Sequence, residues 1–143
     1  MLQYAKDLLR FVSHRALDST PRLACNAGMV LTCAMILERH VSPDGTLALV
    51  VERRDCDLDI RFEGYAWHVH GDMLAELAGT SRDEAARRFV DDVLNGLRIV
   101  AIVRSGGAVA DAWVSDDPAK DRLYAQSGED LEFRRWDGTK FEA

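Results

Sequence analysis

The run Asp57-Leu58-Asp59-Ile60-Arg61-Phe62 alternates polar and apolar side chains without a break, and Tyr65-Ala66-Trp67-His68-Val69-His70 follows it across the pair Glu63-Gly64. A period of two is the signature of a strand with one face buried and one face wet. Two such segments joined by a short glycine-containing turn specify an antiparallel pair. A slip of one residue would turn every apolar side chain to solvent, so the register is constrained. Leu58, Ile60 and Phe62 then share one face with Tyr65, Trp67 and Val69. His68 and His70 share the other face with Asp59 and Arg61.

Periodicity and turn chemistry place the remaining elements around this pair. Leu2, Ala5, Leu8, Leu9, Val12 and Ala16 fall at helical spacing, so residues 2–17 read as an amphipathic helix. Thr20 followed by Pro21 can cap and open a second helix running to about His40, although Val30 and Thr32 leave a strand open within it. Ser42-Pro43-Asp44-Gly45 is a turn, and residues 46–52 follow as an apolar strand. Ser81 and Glu84 have the spacing of a capping box ahead of a helix bearing Ala86, Phe89, Val93 and Leu97 on one stripe. Residues 98–104 and 108–114 form a hairpin about Ser105-Gly106-Gly107, and Ser115-Asp116-Asp117-Pro118 starts a polar loop. Asp137-Gly138 joins a last pair of segments, residues 131–136 and 139–142. The expected fold is one α+β domain over residues 1–143. It has an antiparallel sheet of six to seven strands, with two N-terminal helices and one central helix packed on it.

Charge narrows the function classes. The chain carries 18 Lys and Arg against 24 Asp and Glu, a net −6. The acidity is concentrated in residues 55–97, which hold 4 basic and 10 acidic side chains. Such a balance disfavours nucleic-acid binding, which needs clustered Lys and Arg to displace counterions. The longest apolar run, residues 23–37, is shorter than the ~20 residues a bilayer span requires. The first residues lack the basic start and apolar core of a secretory signal. Cys25, Cys33 and Cys56 form no CxxC pair, which points to reduced thiols and a soluble cytoplasmic protein.

Few residues carry chemistry. His68 and His70 lie on one strand face near Asp72, the start of a metal or proton-transfer site. Catalytic zinc takes three protein ligands, however, and His14, His40, Asp72 and the cysteines stand at no diagnostic spacing. The pair therefore also reads as the polar side of a half-buried sheet, and neither a metal nor a cofactor is expected. Ser105 lacks the strand-to-helix elbow of a hydrolase, and Gly106-Gly107 precedes no helix, as a dinucleotide loop would. Cys56 lies between Asp55 and Asp57, which disfavour its thiolate. Asp116-Asp117 and Glu129-Asp130 fall in loops as solvated acids. No catalytic residue is assigned. Of Trp67, Trp113 and Trp136, at least two should be core residues.

Trp67-His68-Val69-His70-Gly71-Asp72, the helix after it, the strand ending Asp111-Ala112-Trp113 and the closing Arg135-Trp136-Asp137-Gly138 together resemble the small immunity proteins of bacterial contact-dependent inhibition and polymorphic toxin systems. The likeness covers the chain from about Tyr65 onward. It implies a non-catalytic cytoplasmic protein, monomeric or weakly self-paired, that binds a cognate toxin domain, frequently a basic nuclease, and masks its active surface. The acidic middle third would be the contact surface, with Asp55, Asp57, Asp59 and Glu63 beside His68 and His70. The departure is a net charge of only moderate size. The alternative is a small metal- or ligand-binding domain or enzyme using His68 and His70.

Overall fold

Turn chemistry organises the first half of the molecule. The computed structural model describes residues 34–142. Strand β1 (Met35–Val41) leads into the turn at Ser42, where Ser42 Oγ donates to Asp44 Oδ1 at 2.7 Å and accepts from the Leu47 amide at 3.0 Å. β2 (Ala48–Arg54), β3 (Asp57–Phe62) and β4 (His68–His70) complete an antiparallel meander in the order β1-β2-β3-β4.

Two helices follow at once. α1 (Gly71–Ala78) starts directly from β4, with His70 as both last strand residue and helix N-cap. The junction is tight, because a Cβ on Gly71 would lie 2.7 Å from Arg82 Cγ and 3.1 Å from Leu58 Cβ and would force those side chains to shift. α2 (Arg82–Leu94) is capped as expected, Ser81 Oγ accepting from the Glu84 amide at 3.3 Å. Asp83 and Glu84 in its first turn suit the positive end of the helix dipole. Its buried residues Ala85, Ala86, Phe89, Val90 and Val93 repeat at helical spacing and face the sheets.

The second sheet has the order β6-β5-β7, from β5 (Ile99–Ser105), β6 (Ala108–Ser115) and β7 (Glu129–Arg134), all antiparallel. Between β6 and β7 lie a one-turn helix α3 (Pro118–Asp121) and a 3₁₀ turn (Arg122–Tyr124). The β5–β6 turn takes Gly106 and Gly107 at φ 60° and 82°, the double positive-φ conformation that matches strand twist in a two-residue hairpin. As the central strand, β5 buries Val100, Ala101 and Ile102 completely. The core lies between the sheets and α2, and an aromatic row crosses it. Phe62 sits with its ring centroid 5.3 Å from that of Trp67 and 6.4 Å from that of Trp136, and Trp67 reaches Phe89 at 6.2 Å. Trp67 and Trp136 are the expected core tryptophans, while Trp113 is half-buried with its indole N–H donating to Asp121.

The α+β class and the antiparallel pairing stand as expected, but the seven strands form two sheets rather than one. All three helices of the described residues follow β4, so none is N-terminal. The expected helix over residues 2–17, and the second as far as residue 33, lie outside the described residues. The last part of that second helix is corrected: Met35–Val41 is strand, because it finds a partner in β2 across the turn at Ser42. Gly71-Asp72 ends a strand as expected, and it also opens a helix that was not foreseen. The strand after Gly64 covers only residues 68–70, with a longer turn before it, and the pairing about Asp137-Gly138 reduces to one bridge between Arg134 and Lys140. Leu97 falls past the end of α2 and is exposed. Cys56 is disulfide-bonded, which corrects the expectation of reduced thiols. The thiol-based argument for a cytosolic address falls with it.

Candidate functional site

Register assembles a charged cluster on the face of the first sheet turned from the core. β3 pairs Asp59 with His70 and Arg61 with His68 on β4, and pairs Asp59 with Glu52 and Asp57 with Arg54 on β2. Glu52 and Asp59 are nonetheless buried. Charges withdrawn from water must be paired and hydrogen-bonded, and these are. Glu52 Oε2 accepts from Arg61 Nε at 3.1 Å. Asp57 Oδ1 accepts the amides of Leu58 at 2.7 Å and Asp72 at 3.1 Å, with Arg82 Nε 3.6 Å away. Asp59 Oδ2 has Arg54 Nε at 3.7 Å. The remaining oxygens of the two aspartates turn to one atom, His70 Nδ1, which lies 2.5 Å from Asp59 Oδ1 and 3.8 Å from Asp57 Oδ2.

The tautomers follow from the acceptors. A carboxylate and a carbonyl only accept, so His70 Nδ1 carries a proton toward Asp59, and His68 Nδ1 carries one toward Ala66 O at 3.0 Å. With Nδ1 held in this way, the neutral form of either imidazole has its lone pair on Nε2, and the two rings meet edge to face with centroids 4.8 Å apart. Locking one ring nitrogen with a carboxylate or carbonyl is how proteins orient a histidine as a base or a metal ligand. The ligand atoms of Asp57, Asp59 and His70 lie within 4.8 Å of one another, so this trio could also hold a cation. Arg54 and Arg82 already neutralise much of its charge.

Burial pushes the Asp59 carboxyl up, but the hydrogen bond and charge of His70, with His68 and Arg54 behind them, carry it below its usual value. A depressed carboxyl pKa stabilises the fold above the unfolded value of about 3.9, and that stability is lost as pH falls through the folded value. Urea unfolding should therefore show stability declining below about pH 4, with a shallower decline in Asp59→Asn. His70→Ala strips the buried carboxylate of its donor and should cost about 2 kcal/mol at pH 7. An unchanged urea midpoint in His70→Ala would show the pair to be energetically idle.

The other residues singled out in the sequence sit apart from this cluster. Asp55 occupies the β2–β3 turn in a left-handed conformation, φ 51°, and is exposed. Glu63 follows β3 at its other end and is gripped by Arg39, at 3.1 Å from Nε and 2.7 Å from Nη2. The structure thus joins Asp57, Asp59, His68 and His70, and leaves Asp55 and Glu63 at opposite ends of β3. Sequence reading missed Glu52, Arg54 and Arg82. The first two were within reach, since treating Asp55-Cys56 as a two-residue turn puts Arg54 opposite Asp57 and Glu52 opposite Asp59. His68 also borders a cavity of about 300 Å³ that lies between β4, α1 and α2.

No helix of the described residues is long and apolar enough to cross a membrane. Comparison of the chain with protein-family models, with curated proteins and with solved structures found no match.

Proposed function

We propose that the chain is a non-catalytic immunity protein that binds a cognate bacterial toxin domain and covers its active surface. The observation that carries the reading is β1. This outermost strand of the described meander leaves Met35, Ile36, Leu37 and Val41 between 41 and 54% exposed. Large apolar side chains on a strand edge are ready to pair with or be covered by another chain. Fixed charges surround them, the Arg39–Glu63 pair and exposed Asp55 among them, and charge of this kind sets orientation and partner choice. The acidic balance of residues 55–97 suits a basic partner.

The test is growth of cells expressing the toxin domain encoded beside this chain, with and without it. Protection and a one-to-one complex on size exclusion are expected. Ile36→Asp with Val41→Asp should weaken the complex at least a hundredfold, and Asp55→Lys with Glu63→Lys should mainly slow association. Absence of protection, or full protection by the apolar double variant, would sink the proposal. A second reading, a small metal- or ligand-binding domain, is favoured by the two imidazoles locked through Nδ1. Under that reading zinc should bind near one equivalent, and His68→Ala with His70→Ala should remove it.

A further inference from the structure

The polar cluster on the first sheet has an outer layer of donors and an inner point where its ligand atoms meet. Asp57 Oδ1 holds the amides of Leu58 and Asp72 with Arg82 Nε at 3.6 Å, and Asp59 Oδ2 faces Arg54 Nε at 3.7 Å. The second oxygen of each aspartate turns inward, Asp59 Oδ1 to 2.5 Å and Asp57 Oδ2 to 3.8 Å from His70 Nδ1. Register produces this convergence. Asp59 lies directly opposite His70 across the β3–β4 pair, and Asp57 lies two residues away on the same strand face. The three side chains are only 11 to 13% exposed.

Donors on the outer oxygens fix the aim of the inner ones, as the partners behind metal-ligating carboxylates do. Arg54 and Arg82 belong to that outer layer. Two carboxylate oxygens and one imidazole nitrogen are a donor set for zinc and neighbouring divalent transition metals, whereas calcium and magnesium prefer oxygen alone. One ligand atom from each of the three residues lies within 4.8 Å of the others. A zinc ion about 2.1 Å from each ligand would hold them roughly 3–3.5 Å apart. The two separations at His70 Nδ1 bracket that range. The short contact between His70 and Asp59 is what a proton standing in the place of an ion would produce.

We infer that Asp57, Asp59 and His70 Nδ1 together bind one divalent transition-metal ion, with water completing its coordination. The ion replaces the proton that Nδ1 shares with Asp59. The ring takes up a proton from water at Nε2, so it stays neutral and changes tautomer. The inference rests on the metal-binding reading given above and assigns its ligands, leaving His68, which lies opposite Arg61, outside the site. It requires nothing of the immunity reading.

The test is zinc chloride titrated into the metal-free full-length protein with its disulfide intact, followed by calorimetry and by nitrogen NMR of the histidine rings. One equivalent is expected to bind, with His70 passing from the Nδ1-protonated to the Nε2-protonated form. Asp57→Asn keeps an oxygen for the Leu58 and Asp72 amides but turns an NH₂ group inward. It should therefore fold and bind zinc at least about tenfold more weakly. His68→Ala should bind as the wild type does. Undiminished binding in Asp57→Asn, loss of binding in His68→Ala, or an unchanged His70 tautomer beside a bound ion would each overturn the inference and leave the metal-binding reading standing. No binding at millimolar zinc would remove both.

Discussion

Phe62→Ala should destabilise the protein by about 4 kcal/mol, the largest loss expected from a single side chain. Phe62 is fully buried and lies between Trp67 and Trp136, where it joins the two sheets of the core. Truncating a buried aromatic loses its transfer free energy and leaves a cavity that the neighbours fill only in part, at a typical cost of about 3–5 kcal/mol. Two large rings flanking the gap resist collapse, which favours the upper half of that range. Phe62→Leu should recover about half of the loss. The measurement is urea unfolding followed by tryptophan fluorescence, and a loss below about 1.5 kcal/mol would mean that the row is not the centre of the core.

Asp44 and Arg134 should show an asymmetry. Arg134 on β7 is buried, and its guanidinium reaches Asp44 in the β1–β2 turn at 2.5 Å, across 90 residues of chain. Asp44→Ala leaves a buried cation without its counter-charge, for which about 3–5 kcal/mol is usual when both partners are buried. The Asp44 side chain is 40% exposed, so water screens the pair and about 2 kcal/mol is the better figure. Arg134→Met keeps the apolar stem and removes the buried charge. Asp44 then still bonds Ser42 and Thr46, so this variant should cost less than 1 kcal/mol. The Arg134 hydrogen bond, more than those of Ser42 and Thr46, holds the Asp44 carboxyl far below the usual range. Its contribution therefore persists above pH 4 and disappears only in strong acid. Equal losses in the two variants would contradict this account.

Short-range pattern carried much of the first sheet. The turn at Ser42 marks the start of β2, and the alternation over residues 57–62 defines β3 and puts His68 and His70 on the face of Asp59. Met35–Val41 did not read as strand because Met, Leu, Glu and Arg are good helix formers, and only pairing with β2 overrides that preference. α1 was hidden by Gly71-Asp72, which looks like a turn, yet Met73, Leu74 and Leu77 followed by Gly79 have the spacing and stop of a short helix. The split into two sheets depends on β7 choosing β5 over a sequence neighbour, and local pattern does not encode such choices. Arg82 escaped notice because it reaches Asp57 and Asp72 only once α1 has folded back beside β3.

The Asp44–Arg134 clamp also bears on how long the native state survives. β1 to β4 pair in sequence order through short turns, so they can zip up locally, whereas the clamp closes a loop of 90 residues. Long closures come late, and contacts missing from the transition state act on the unfolding rate rather than on the folding rate. Asp44→Ala should thus leave refolding nearly unchanged and speed unfolding about thirtyfold, the kinetic equivalent of its 2 kcal/mol. A turn that looks merely local would then act as a latch, governing resistance to proteolysis and heat through its lifetime.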